Sequence, residues 1–100
     1  MDTYCAYARR NMWDMASLFG PNWPSSGEID IIEGVNSQKT NSMALHTSPN
    51  CVMNSVPQLG ITQTSNCDGT TNYNAGCGTL SKSTKSYGKG FNAAGGGFHS

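Results

Sequence analysis

The segment Gly27-Glu28-Ile29-Asp30-Ile31-Ile32-Glu33-Gly34 packs three of the chain's six acidic residues into six positions of a β-branched run. Isoleucine favours an extended strand, whereas carboxylates in a strand that reads as core are costly unless they are used. In a regular strand, residues two apart share a face, so Glu28, Asp30 and Ile32 would point one way and Glu33 the other. A single bulge within Ile31-Ile32 turns Glu33 back onto the face of Glu28 and Asp30 and bends the strand there. If all three acids serve one site, a kink in the strand over Gly27–Gly34 is therefore required. With the bulge, the two glutamate Cα atoms stand roughly 13 Å apart at about 3.3 Å per strand residue. Side chains leaning together across a concave sheet could bring the carboxyls to about 5–5.5 Å. Two close carboxyl groups in different protonation states are what retaining glycosidic bond cleavage requires.

The surroundings of this strand, Asn22-Trp23-Pro24-Ser25-Ser26 before it and Val35-Asn36 after it, complete a recognisable pattern. It resembles the active-site signature Glu-x-Asp-x-x-Glu of glycoside hydrolase family 16, in its endo-1,3(4)-β-glucanase (laminarinase-like) branch. The likeness continues through Met43-Ala44-Leu45-His46-Thr47-Ser48, Cys67, Gly76-Cys77-Gly78, Ser86-Tyr87-Gly88 and Phe91 to Gly97, covering roughly Phe19 to Phe98. The resemblance implies an all-β fold, a concanavalin A-like jelly-roll β-sandwich. That fold needs a longer chain, so a fragment of it is expected here. The implied function is a retaining endo-β-glucanase cleaving 1,3- or mixed 1,3-1,4-β-glucans by a two-glutamate double displacement. The alternative is a truncated inactive remnant, or a carbohydrate-binding fragment of such an enzyme.

Residue by residue, the resemblance implies that Glu28 is the nucleophile and forms a covalent glycosyl-enzyme intermediate. Glu33 matches the general acid/base, protonating the leaving oxygen and then activating water. Asp30 matches the assisting carboxylate, hydrogen-bonding Glu28 and keeping Glu33 protonated by like-charge repulsion. Whether water or a sugar hydroxyl captures the intermediate, and which glucan linkage is preferred, the motif leaves open.

Two further side chains are candidates for substrate binding. Trp23 can offer its indole face to the apolar face of a glucose ring, or serve as a half-buried anchor for the loop before the strand. His46 lies in the alternating stretch Ser42–Ser48, a second predicted strand beside the acidic one. It shares a face with Ser42, Ala44 and Ser48, from which it could hydrogen-bond Glu33 or a sugar hydroxyl, or act as a structural histidine. His99 has no informative context.

Composition narrows the partners. Charged residues make up 12% of the chain and the formal net charge is zero, which argues against nucleic acid and against a polybasic membrane surface. No apolar run reaches transmembrane length. Abundant hydrogen-bonding side chains with sparse charge suit a neutral polyhydroxylated ligand, and equally a chain rich in Gly/Ser/Asn loops; the partner that the resemblance implies is a β-glucan polysaccharide, met by a monomer. No cofactor is expected and no metal: the cysteines form no CxxC, and Asp68-Gly69-Thr70 lacks the further acidic ligands of a calcium loop.

Two regions depart from the resemblance. Residues 1–18 match nothing in it, leaving residues 19–100 as a partial catalytic domain. Read one base later, Met12-Trp13-Asp14-Met15 can encode only Cys-Gly-(Thr or Ile)-Trp, which fits a family-like segment. Residues 1–18 are therefore expected to be out of frame, with Cys5 adventitious. The remaining cysteines, Cys51, Cys67 and Cys77, are odd in number, and their pairing is left open. Pro49–Asn92, poor in apolar residues, is expected to be a long decorated loop pinned by cysteines, and a strand is expected to start at Gly95–Phe98. The resemblance implies an extracellular or cell-wall location, although Met1–Arg10 shows no apolar core of signal-peptide length.

Overall fold

The acidic segment forms an eight-residue strand, β3 (Glu28–Val35), at the middle of a single antiparallel sheet. The computed structural model describes residues 7–8, 13–55 and 57–97, with side chains from residue 17 onward. Two strands precede β3, namely β1 (Tyr7–Ala8) and β2 (Trp13–Phe19). Three follow: β4 (Ser42–His46), β5 (Ile61–Thr64) and β6 (Cys77–Leu80). The order across the sheet is β1-β2-β3-β4-β6-β5. The fold is all-β, as expected, with one short helix, α1 (Gly88–Ala93), beyond the last strand.

The predicted bulge is present, and two independent ladders locate it. Against β4, Asp30 pairs with Ala44 and Glu33 with Ser42, three steps on one strand for two on the other. Against β2, Ile32 pairs with Ala16 and Asp30 with Ser17, two steps for one. The β4 ladder confines the irregularity to Ile31-Ile32, and the β2 ladder, in which Ile32 is paired, singles out Ile31 as the extra residue. The period-two alternation is thereby reset between Asp30 and Glu33, and all three acids share a face.

The two faces of the sheet differ in chemistry. One carries Glu28, Asp30, Glu33, Ala44 and His46. The other carries Ile29, Ile31, Met43 and Leu45, which with Val52 and Leu59 line an open apolar groove of about 700 Å³. Among the described residues, the buried hydrophobic side chains are Cys67, Cys77 and Tyr87, while the buried polar ones are Asp30, Asn41, His46 and Asp68. The deepest burial in this sheet thus lies on its polar face, where a site would be built.

The expected loop over Pro49–Asn92 is corrected by the structure, because it contains β5, β6, a 3-10 turn (Asn72–Asn74) and α1. β6 lies inside the sheet, paired with β4 on one side and β5 on the other. Its sequence, Cys-Gly-Thr-Leu, has little strand character of its own, and pairing on both edges supplies what propensity does not. The segment does fold back through a cysteine. Cys67 and Cys77 form a disulfide, and Cys51 is a free thiol.

The strand start expected at Gly95–Phe98 is also corrected. Helix α1 ends there in a Schellman turn: Gly96 N–H donates to Phe91 O at 2.9 Å and Gly95 N–H to Asn92 O at 3.0 Å. Gly95, at φ +93°, supplies the left-handed residue that this cap needs. Phe98 and His99 lie outside the described residues, as do Cys5 and residues 1–6 and 9–12 of the segment set apart as out of frame. Residues 13–18 of that segment form most of β2.

Candidate active site

Asp30 sits lowest of the three acids. It is 2% exposed, and its cross-strand partners are the short residues Ser17 and Ala44, which leave room for a carboxyl close to the sheet. Burial, then the charge of Glu28, a hydrogen bond between the two carboxyls and the charge of Glu33 push the Asp30 carboxyl from 3.8 up to about 7. That Asp30 senses both glutamates follows from the bulge. In its neutral form its O–H can donate a hydrogen bond to the Glu28 carboxyl.

Glu28 is held from the loop before β3. The indole N–H of Trp23 donates to Glu28 Oε2. The indole lies against Gly69, where a Cβ atom would come within 3.1 Å of the ring, and its centroid is 6.0 Å from that of His46. Trp23 is nevertheless 38% exposed. Its indole edge thus anchors the loop and orients a carboxylate, while part of the residue stays accessible.

His46 stands opposite Glu28 in the ladder. Its Nε2 is 2.9 Å from the carbonyl oxygen of Asn74. A carbonyl can only accept, so Nε2 carries the hydrogen and, in the neutral ring, Nδ1 presents a lone pair. Nδ1 lies 3.2 Å from Asp30 Oδ2 and 3.9 Å from Glu28 Oε2, without the alignment of a hydrogen bond. Of the two partners expected for His46, Glu33 or a sugar hydroxyl, the first is corrected: the structure sets it against Glu28 and Asp30, because His46 pairs with the opposite end of the acidic strand. Gly76 makes this possible. At φ +61°, a Cβ there would lie 2.5 Å from Leu45 O and 2.8 Å from the imidazole.

Glu33 is positioned through its backbone by residues that sequence did not single out. Asn41 accepts its N–H at 3.1 Å, and Gln38 donates to its carbonyl at 3.0 Å. The next residue, Gly34, lies under the ring of Tyr87, where a Cβ would be 2.4 Å from ring carbon. Nothing local marks Asn41, Gln38, Asn74 or Tyr87, since each acts across a turn or from a distant loop.

Glu28, Asp30 and His46 offer one ligand atom each within 4.8 Å of one another. A divalent ion held there would occupy the lone pairs that a nucleophilic Glu28 needs.

The chain as a whole has relatives. A family model, the XgeA-like catalytic domain of glycoside hydrolase family 16, matches residues 3–100. The chain belongs to glycoside hydrolase family 16. Among the curated relatives, a probable endo-1,3(4)-β-glucanase of Aspergillus fumigatus is 43% identical over 88 residues, which is 87% of this chain and 13% of that protein. A probable glycosidase of Schizosaccharomyces pombe is 43% identical over 89 residues, 85% of this chain and 21% of the relative. Among solved structures, the family 16 laminarinase 16A of Phanerochaete chrysosporium superposes with a TM-score of 0.80 at 45% identity. That match covers 87% of this chain and 30% of the laminarinase, which was solved with two β-glucans, 6-O-glucosyl-laminaritriose, in its donor and acceptor sites. The chain thus spans about a fifth or less of the curated relatives and under a third of the solved one. Its single sheet corresponds to part of the family's jelly-roll architecture.

Proposed function

We propose that this chain carries the catalytic face of a retaining endo-β-glucanase acting on 1,3- or mixed 1,3-1,4-β-glucans. Glu28 attacks the anomeric carbon, and the bond to the leaving oxygen breaks as Glu33 protonates it. Water, deprotonated by Glu33, then releases the covalent glycosyl intermediate. Asp30, neutral below about pH 7, donates to Glu28 before attack and releases that hydrogen bond as the charge on Glu28 is consumed. Trp23 orients Glu28 and offers ring surface to the sugar. His46 backs the Glu28–Asp30 pair from the next strand.

The observation that carries this reading is the bulge at Ile31, which two ladders define and which puts Glu28, Asp30 and Glu33 on one face. No cofactor enters the chemistry. The Cys67–Cys77 disulfide supports an oxidising compartment, consistent with an extracellular or cell-wall location. A second reading, a glucan-binding or inactive remnant, is favoured by the Trp23 ring, whose exposed part offers sugar contact whether or not the glutamates cleave.

A reducing-sugar assay of the purified chain on laminarin and lichenan tests the first reading, with Glu28→Gln as control. Product from the wild-type chain, abolished in Glu28→Gln, is the expected result. Retention of soluble laminarin by affinity electrophoresis, with no product from either chain, selects the remnant instead.

A further inference from the structure

A bulge removes backbone groups from a ladder, and those groups need other partners. Here one side chain takes both. Asn41, 2% exposed, donates from Nδ2 to the carbonyl of Ile31 at 2.7 Å and accepts the N–H of Glu33 at Oδ1, 3.1 Å away. Its amide therefore spans the kink from the residue before Ile32 to the residue after it. Gln38 holds the other end of the Glu33 peptide, donating from Nε2 to Glu33 O at 3.0 Å and to Thr40 O at 2.8 Å. Asn41 is itself braced from a distant segment: its N–H donates to Ser86 Oγ at 2.9 Å and its carbonyl accepts the N–H of Ser81 at 2.8 Å.

The geometry matters because a strand with a bulge has competing registers. Moving the extra residue past Glu33 would return its side chain to the apolar face. In that register Asn41 would find neither the Ile31 carbonyl nor the Glu33 N–H at the same separation, and a buried amide would lose both partners. Only one placement of the bulge satisfies both ends of this side chain.

We propose that Asn41, with Gln38 behind it, is a positioning residue for Glu33, an amide clamp that selects the register in which the Glu33 carboxyl faces Glu28 and Asp30. The structural part stands on the hydrogen bonds; its catalytic consequence rests on the reading of Glu33 as acid/base.

The test uses the full chain with Asn41→Ala, Asn41→Asp, Gln38→Ala and the exposed-site control Lys82→Ala. Exchange of the Glu33 amide reports the acceptor half of the clamp, and the carbonyl 13C shift of Ile31 reports the donor half. Asn41→Ala should speed Glu33 exchange roughly tenfold, the loss of one buried hydrogen bond, and shift the Ile31 carbonyl, while Lys82→Ala changes neither. Gln38→Ala should shift the Glu33 carbonyl and leave that of Ile31 in place. Asn41→Asp supplies the discriminating arm if the alanine variant fails to fold. Its protonated carboxyl can replace both amide functions and its carboxylate only one, so the Ile31 shift should return to the wild-type value at low pH and leave it as the carboxyl ionises. A side chain that merely fills space would give no such titration.

An unprotected Glu33 amide in the wild-type chain, unfolded wild-type protein, or an Ile31 shift in Asn41→Asp that ignores pH would each overturn the clamp. Activity separates the two readings. If wild-type chain releases no sugar, the catalytic reading fails while the exchange data still decide the clamp. If it is active, Asn41→Ala should lower kcat roughly a hundredfold, as for a group displaced by about an ångström, with KM little changed.

Discussion

At the scale of single residues, the site is a set of carboxyls whose environments have been made unequal. Asp30 is buried between short neighbours, Glu28 is tied to an indole, and Glu33 is fixed by its peptide rather than by its side chain. The acids themselves were legible in sequence because three charges in a β-branched run conflict with the run's own burial. The residues that hold them were not. An asparagine before a strand looks like a turn residue, and only its contacts with Ile31 and Glu33 reveal its work. Gly34 is similar: its role follows from the ring of Tyr87, 53 positions away in sequence, lying where a Cβ would go. Gly34→Ala should destabilise the chain by about 1–3 kcal/mol through overpacking against that ring, read as a fall in the urea midpoint. A paired Tyr87→Leu change should return part of the loss.

At the scale of elements, β3 and β4 could be read from pattern, whereas β5, β6 and α1 could not. β3 and β4 alternate side chains between two chemically distinct faces, a signal that survives in eight and five residues. β6 has a cysteine and a glycine where alternation should show, and its strand conformation comes from β4 and β5 on either side. The glycine run after α1 is a helix cap rather than a strand start, because consecutive left-handed glycines terminate helices. The Cys67–Cys77 bridge closes a loop of sequence separation 10 that contains Asn74 and Gly76, the backbone that holds His46. Reduction, or Cys67→Ser with Cys77→Ser, should cost about 2.5–3 kcal/mol by loop-closure entropy. The loss should appear first as faster exchange in β6, which the bridge enters, and later as global unfolding.

At the scale of the molecule, one sheet carries a polar, partly buried face and an apolar, open one. The raised Asp30 carboxyl makes stability depend on pH in a definite direction. In the unfolded chain this carboxyl titrates near 3.8, and in the folded chain at about 7. Between those values the folded state keeps a proton that the unfolded state has released, so stability falls as pH rises through this window and levels off above it. Below the lower value both states are protonated and the group contributes nothing. Urea midpoints across the window should therefore decline with pH in the wild-type chain, and the decline should flatten in Asp30→Asn. A wild-type profile as flat as that of Asp30→Asn over the same range would show that Asp30 ionises as readily in the folded protein as in the unfolded chain.

The amino-acid order was enough to show that Glu28, Asp30 and Glu33 can share a side only if the strand is kinked between Asp30 and Glu33, because side-chain alternation is a local property of extended backbone. It was enough, too, to place a second strand beside it. What it could not settle is how the kink is held, which neighbour His46 faces, and which cysteines pair. Those depend on contacts such as Asn41 with Ser86 and His46 with Asn74, and on Cys67 with Cys77. Such contacts exist only once distant segments have been folded together, and no periodicity along the chain encodes them.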